Sequence, residues 1–592
     1  MRQICQHRLF HRFTVILLAC GIVFPAVQAV AQSRAEEWQT VAVFSMISTD
    51  EGAPLIRQAV TAMNHPGLAD MLADMEKTQR EAFVTLDFSQ PKGVVCQTNG
   101  RSFRFLAFAA MRDVTALPYG IGKMIADCEV NRDGWYKMPL SNAGQLPIMY
   151  QNVYVKQQGN WAYACYGVTQ PPKELPDDAA ILLEGLPQEY PVALRFNCAV
   201  LPKSLVNGYA ALAKTFLPMA KAFLQMPQME DSESQMALAS FDLFTAVAKE
   251  TIDQLVKFVN ETETITFGLS GNADNDLIMT AKLIAKPGTD MAGDLALMAD
   301  CTTGLIGFYR PDEAIYSQIT ATPIQAYDQA YCTTILTATE KLIDDMTDNV
   351  RKGLERDNNL TDFDGLEGME KVMSLVKQSV HVLQQTVGAG KFDFAESITA
   401  DFTTLMAVKI AGGNVLLKPG NELYDFAHLM MAQQLADDGI AQMVILERET
   451  YKDFLFWTID VSISLPRHYV FGLSDSMFVY AQGFAPSVLD TVKEAIDRSS
   501  KPVPVPKEIM VFAPDKIGHA MKTFGLDIIA NGIDEGQAVM DIMNTIPENA
   551  KIVVTQEVGD NTLTWTTVFD GKLWPTVGAI LEAQSANRKA QR

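Results

Sequence analysis

The sequence predicts an α+β fold of two duplicated lobes, each of mostly antiparallel sheet packed by amphipathic helices. Three observations support this: a recurring pair of β-rich runs followed by a helix, long one-sided helical patterns, and a second hairpin that recurs at a nearly constant offset. The repeat unit is strand, helix, helix, hairpin, helix. Internal repeats are weighed first because they determine the architecture. We expect lobe 1 at residues 36–300 and lobe 2, its duplicate, at 301–592.

A signal peptide is predicted at residues 1–31. The segment starts with arginines and no acidic residue, continues with an apolar run, and ends in the small-residue pattern of Ala29 and Ala31. This order is typical of secretion. Two alternatives stay open: lipidation at Cys20 and an uncleaved anchor. We expect an exported protein, periplasmic, envelope-associated or extracellular, that meets a membrane only through an uncleaved or lipidated N-terminus.

The β-rich runs of the repeat are enriched in β-branched and aromatic residues, as half-buried strands are. Each pair is followed by a helical pattern. The four copies are 83–88 with 103–109 and then 114–127; 264–269 with 277–285 and then 291–298; 397–402 with 405–410 and then 423–437; and 551–557 with 562–569 and then 574–581.

Long helices are predicted before three of these pairs. Apolar residues recur every three or four positions in 241–259 and in 366–387, with a shorter version in 534–543. This spacing places them on one face of a helix, which then packs on a sheet.

The second hairpin supports the duplication. Runs 153–155 and 161–167 lead to a strand at 192–200, and runs 469–473 and 477–483 lead to a strand at 509–513. Corresponding points lie about 310–316 residues apart. The same order of elements at a similar offset indicates two related halves.

Cysteine usage agrees with export. Six cysteines remain after the signal peptide: Cys96, Cys128, Cys165, Cys198, Cys301 and Cys332. An even number in an exported chain predicts disulfides, here by pairing of near neighbours, although spacing alone leaves every connectivity open. No C-x-x-C motif indicates metal ligation or redox chemistry instead.

The charge excludes one class of partner. With 48 Lys and Arg against 70 Asp and Glu, the formal net charge is −22. A nucleic-acid-binding protein needs a basic surface that displaces counterions, so we expect no nucleic-acid partner. An acidic surface also disfavours docking on anionic lipid.

Motifs for chemistry are nearly absent. The histidines after the signal, His65, His381, His428, His468 and His519, lack the spacing of a helical zinc pair, and no G-x-S-x-G nucleophile occurs. Two Gly-x-Gly-Lys segments, 120–123 and 388–391, lack the upstream glycine and the Ser or Thr of a phosphate loop. The sequence therefore predicts no catalytic residue, no metal ligand and no cofactor.

Three hypotheses for function remain. The first is a non-catalytic envelope protein that acts by binding or scaffolding, although the sequence does not decide whether catalysis occurs. The second is a carrier of a lipid or other apolar ligand between the lobes, because runs such as 103–108 and 454–457 are apolar on both faces. The third is a secreted hydrolase that uses dispersed carboxylates. The candidate partners are thus an apolar ligand or an envelope protein. Polar groups that converge in one lobe only would favour a functional site there.

Overall fold

The computed structural model describes residues 38–100, 102–118, 121–140, 151–224, 232–356, 363–434, 444–462, 466–523, 542 and 545–590. The described residues form an α+β fold, as predicted, with antiparallel sheet and thirteen α-helices. The predicted signal peptide lies outside them. Two compact units are present: unit 1 takes the described chain up to Ala210, Leu255–Ala292 and everything from Asn561 onward, and unit 2 takes Ala211–Gln254 and Gly293–Asp560.

Unit 1 carries an antiparallel sheet to which the C-terminal part of the chain contributes a strand. Its strands are β1 (Gln39–Met46), β2 (Lys92–Thr98), β3 (Phe103–Ala110), β4 (Glu129–Val130), β5 (Tyr136–Pro139), β6 (Asn152–Gln158), β7 (Trp161–Tyr166), β8 (Val192–Asn197), β9 (Thr262–Gly271), β10 (Leu277–Ala285) and β22 (Thr562–Phe569). They follow one another in the order β4–β5–β6–β7–β3–β2–β1–β8–β9–β10–β22.

The strands of unit 2 also pair antiparallel. Its strands are β11 (Thr302–Thr303), β12 (Ala314–Pro323), β13 (Lys391–Thr399), β14 (Thr404–Lys409), β15 (Val444–Tyr451), β16 (Phe454–Val461), β17 (Arg467–Leu473), β18 (Met477–Gly483), β19 (Val503–Pro504), β20 (Glu508–Phe512) and β21 (Ile552–Gly559). Their order is β15–β16–β17–β18–β14–β13–β12–β20–β21. The short pair β11–β19 is separate.

Helices connect the strands. They are α1 (Thr49–Ala62), α2 (Pro66–Ala82), α3 (Ile121–Ala126), α4 (Leu186–Glu189), α5 (Lys203–Leu224), α6 (Ser232–Glu261), α7 (Asp290–Ala299), α8 (Ala326–Arg356), α9 (Phe363–Gly388), α10 (Leu417–Gln434), α11 (Val488–Arg498), α12 (Asp515–Thr523) and α13 (Trp574–Ala590). Side chains cap two of their starts: Ser48 accepts the N–H of Glu51 before α1, and His65 accepts that of Leu68 before α2. None of the helices in the described part of the chain is long and apolar enough to cross a membrane.

The first predicted run, 83–88, is not a strand. It follows α2 as a turn in which Leu86 makes a single bridge to Met111. The strand that pairs with β3 is β2 instead, because its residues are buried between β1 and β3. Burial against neighbouring strands outweighs local β-propensity. The helix predicted at 114–127 is likewise shorter: a 3₁₀ turn precedes α3.

Each unit has its own main core. Trp135 and Tyr163 are fully buried in unit 1. In unit 2 the fully buried residues include Phe456, Leu305 and Phe308. Leu305 and Phe308 belong to the segment between β11 and β12. That segment is irregular, so its backbone polar groups need partners other than a neighbouring strand.

Candidate functional site

None of the six predicted disulfide cysteines, all of which the structure describes, forms a disulfide with another. A disulfide requires Cα atoms about 4.4–6.8 Å apart. Cys165 is fully buried in the core around Tyr163, whereas Cys96 packs in a different cluster with Val41 and Phe103. Successive side chains of a strand point to opposite faces of the sheet, so a cysteine in one of these clusters does not meet a cysteine in the other. The predicted disulfides are therefore not present here.

Three of the described histidines each contact a different partner. His381 lies 2.9 Å from the amide of Gln385, His428 stacks on Tyr424, and His468 lies 2.6 Å from the carboxylate of Asp460. Within the described residues, no three His, Cys, Asp or Glu side chains are grouped to hold a metal ion. His381, His428 and His468 thus do not form a common site.

An open cleft of about 420 Å³ lies within unit 2. Its charged lining residues are Lys391, Asp393 and Lys409. Lys391 and Asp393 occupy alternate positions at the start of β13, so their side chains share one face of the sheet. Lys409 is the last residue of the neighbouring strand β14. The cleft is therefore built at the ends of two adjacent strands.

Asp393 is the fixed charge of the cleft, only 1% exposed. Its Oδ1 accepts the hydroxyl of Thr303 at 2.7 Å, and its Oδ2 accepts the N–H of Gly304 at 2.9 Å. The ammonium of Lys391 lies 3.8 Å from Oδ2. A buried carboxylate is tolerated when it is paired and hydrogen-bonded in this way. Asp393 thus ties the segment after β11 to the sheet.

Three serines hold the rest of that segment. The N–H of Arg310 donates to the hydroxyl oxygens of Ser317 at 2.9 Å and Ser397 at 3.0 Å. The N–H of Gly307 donates to Ser499 at 3.0 Å. Side-chain acceptors here replace the partners that a regular strand would supply. Ser499 also lines the cleft, so these bonds connect the segment to the cleft wall.

Lys409 differs from both of its charged neighbours. Its ammonium makes no hydrogen bond or ion pair with the described residues, although its side chain is half-buried. Burial lowers the pKa of Lys409; the carboxylates of Asp393 and Asp453 oppose that shift, and the charge of Lys391 adds to it. A Cβ atom at Gly304 would lie 2.9 Å from Cε of Lys409, so the glycine makes room for the lysine.

The cleft favours an anion. The lining carries two ammonium groups and one carboxylate, whose two oxygens already accept hydrogen bonds; the carboxylate of Asp453 acts on Lys409 from outside the lining. The remaining wall includes the apolar residues Ala389, Ile410 and Pro502. A local positive charge beside an apolar wall suits a small organic anion.

A second cleft of about 250 Å³ lies in unit 1 around Arg195 and Lys282. Nε of Arg195 donates to Thr266 at 3.2 Å. The carboxylates of Glu184 and Glu189 each lie 3.8 Å from its guanidinium. Because two carboxylates offset these two cations, this cleft has less to offer an anion than the cleft of unit 2.

Part of the unit 2 site drew attention in the sequence but was assigned no function. The Gly-x-Gly-Lys segment 388–391, rejected as a phosphate loop, contributes Ala389 and Lys391 to the cleft. The usable signal was a Lys-x-Asp pattern at the start of an apolar strand. In comparisons with known proteins, no family model, curated protein or solved structure matches this chain.

Proposed function

We propose that this chain is an exported, non-catalytic binding protein whose unit 2 cleft holds a small organic anion. The observation that carries the proposal is Lys409, a half-buried ammonium on the cleft wall with no acceptor among the described residues. A charge removed from water is stabilised by an opposite charge or acceptor. A bound carboxylate supplies that acceptor.

The ligand class follows from size and lining. The cleft volume of about 420 Å³ lies within the range of small-molecule sites. Ala389, Ile410 and Pro502 offer apolar contact beside the two lysines. We therefore infer a ligand with one anionic group and a short apolar body. The chain as a whole is acidic, so attraction is local to this cleft.

We also infer that the two halves of the chain, 36–300 and 301–592, are duplicates. The order β6–β7–β3–β2–β1–β8–β9 in unit 1 parallels the order β17–β18–β14–β13–β12–β20–β21 in unit 2. Two helices follow the equivalent strands β1 and β12 in each case. A matching strand order with matching connections supports duplication.

On this alignment the halves differ at the cleft. Lys391 is the first residue of β13, and Lys92 is the first residue of β2. Two residues on, Asp393 corresponds to Val94, whose partner in β3 is Ala107. In β14, Val408 pairs with Phe394, so the next residue, Lys409, lies opposite Asp393. Lys409 therefore corresponds to Ala107. Charge that is present in only one of two related halves supports a specialised site.

The alternative of a hydrolase that uses dispersed carboxylates is less well supported by this cleft. A general acid or base must come within hydrogen-bond reach of its substrate. Asp393 is almost fully buried, and both its oxygens accept hydrogen bonds from Thr303 and Gly304. Its arrangement suits an anchor, which favours binding over catalysis.

Calorimetric titration of the mature chain tests the proposal. Straight-chain monocarboxylates from acetate to hexanoate are the probes, with inorganic phosphate for comparison. At least one carboxylate should bind, and Lys409→Met should weaken it about tenfold, which corresponds to ~1.4 kcal/mol. Lys418→Met is the matched control, because that side chain is 85% exposed on α10. Failure of every carboxylate to bind, or equal binding by both variants, would refute the site.

A separate measurement tests export. We propose that the segment 1–31 is cleaved on secretion. N-terminal sequencing of protein recovered from outside the cytoplasm should begin at Gln32. Recovery of the chain only inside the cells, with its N-terminus intact, would contradict export.

A further inference from the structure

We propose that Lys409 captures its ligand covalently, as a Schiff base with a carbonyl group, so that the preferred ligands are oxo acids. This proposal rests on the proposed anion-binding function and deepens it. An oxo acid carries both groups that the cleft addresses: a carboxylate for a fixed cation and a carbonyl carbon for an amine.

The two lysines are positioned for different roles. The ammonium of Lys391 donates to the carbonyl oxygen of Thr302 and lies 3.8 Å from Asp393, so it is held in place as a cation. Lys409 has neither kind of contact with the described residues. The carboxylate oxygens of Asp393 accept hydrogen bonds from Thr303 and Gly304, and Asp393 acts on Lys409 only through its charge, without a hydrogen bond or ion pair. Its amine is thus free to turn toward a ligand in the cleft.

Gly304 contributes space at the same point. A Cβ atom there would lie 2.9 Å from Cε of Lys409 and 3.5 Å from its Nζ, so any side chain would press on the reactive end of the lysine. The segment that carries Gly304 is held through Asp393 and Ser499. A wall with a gap opposite the amine leaves room for the tetrahedral adduct that precedes an imine.

The chemistry requires a neutral amine. Burial lowers the pKa of Lys409, which enlarges its neutral fraction relative to a lysine in water. The neighbouring thiol of Cys301 is a poorer nucleophile, because burial raises its pKa and keeps it protonated. Lys409 is therefore the better nucleophile of the two.

The reaction balances without an oxidant or reductant. The ammonium of Lys409 first loses a proton to solvent through the open cleft. The amine attacks the carbonyl carbon, a C–N bond forms as the C=O π bond breaks, and one proton passes from the nitrogen to the oxygen through solvent to give a carbinolamine. That hydroxyl then leaves with one proton as water, and the nitrogen loses its second proton as the C=N bond forms. Carbonyl plus amine gives imine plus water, and hydrolysis reverses it.

Reductive trapping tests the inference on the full mature chain. The protein is incubated with pyruvate and sodium cyanoborohydride, digested and analysed by mass spectrometry. The N-(1-carboxyethyl) secondary amine should form at Lys409 with at least tenfold higher occupancy than at the exposed Lys418. Lactate, which has no carbonyl, should leave no adduct. Equal occupancy at both lysines would overturn the proposal.

Two further measurements separate this inference from the binding function. Lys409→Arg keeps the cation but has no primary amine, so it should still bind pyruvate in calorimetry and yet give no trapped adduct at position 409. If the native chain binds both pyruvate and lactate but traps nothing at Lys409, covalent capture is wrong and anion binding stands. If it neither binds nor traps, both proposals fail. Circular dichroism of the variant checks that it is folded.

Discussion

The buried carboxylate of Asp393 accepts the backbone N–H of Gly304 at 2.9 Å. This bond joins an irregular segment to the start of strand β13. The same carboxylate accepts the hydroxyl of Thr303, which in turn accepts the N–H of Leu305 at 3.0 Å. One side chain thus secures a segment whose apolar residues enter the core of unit 2. Lys409, on the neighbouring strand, makes no hydrogen bond or ion pair with the described residues, and Gly304 lies against its side chain, so the anchor and the candidate site are parts of one arrangement.

Replacing Asp393 should destabilise unit 2. Asp393→Ala leaves the N–H of Gly304 and the hydroxyl of Thr303 without their acceptor, and both Thr303 and the carboxylate it loses are buried. We expect a loss of about 3 kcal/mol in the free energy of unfolding, as for other broken buried networks. Urea unfolding followed by hydrogen exchange in β13 measures it. Asp490→Ala, at a side chain that is 81% exposed, should change it by about 0.5 kcal/mol or less. Similar stabilities of the two variants would show that Asp393 is not an anchor.

The limits of sequence-based prediction are visible at this anchor. Helices α6 and α9 were predictable because their apolar residues repeat within a few positions, so the signal is local. Asp393 and Thr303 are 90 residues apart, and nothing in either neighbourhood indicates the other. Strand β2 was missed for a similar reason, since its burial depends on β1 and β3. Long-range pairing decides both cases, and local pattern does not contain it.

A side chain at position 304 should disturb the site more than the fold. In Gly304→Ala the new Cβ would lie 2.9 Å from Cε of Lys409, which is a flexible side chain that can move aside. We expect the affinity for the best-binding carboxylate to fall about fivefold, equivalent to ~1 kcal/mol, by calorimetry. Gly293→Ala is the control, because a Cβ there meets no atom within 4 Å. Unchanged affinity in Gly304→Ala would separate this glycine from the binding site.

As the pH is raised, anion binding should weaken at a lower pH than it would if Lys409 had the pKa of an ordinary lysine. Burial lowers the pKa of Lys409 from its ordinary value of 10.5, so its ammonium is lost below that pH. Affinity for a carboxylate should fall as pH rises through the lowered pKa, and the rate of imine formation should rise there. At pH values between the folded-state and the unfolded-state pKa of Lys409, this side chain loses its proton when the chain folds. The contribution of Lys409 to the free energy of unfolding therefore increases as pH rises through that interval.

Calorimetry over a series of alkaline pH values measures this dependence. Lys409→Arg is the matched control, because a guanidinium stays charged throughout the range. Its affinity should remain flat where that of the native chain falls. Parallel curves for the two proteins would place the titrating group elsewhere.

The thiols should react in an order set by burial. Burial raises the pKa of Cys165 to about 11, and its side chain is inaccessible in the core of unit 1. Cys128 is more exposed at the end of α3, where its thiol contacts the carbonyl oxygen of Met124 at 3.0 Å. Iodoacetamide should therefore modify Cys128 well before Cys165 in the native protein, as followed by peptide mass spectrometry. In denaturant without reductant, all six cysteines should react. Protection of an even number of them under those conditions would show that exported protein forms disulfides after all, with strands shifted from the positions described.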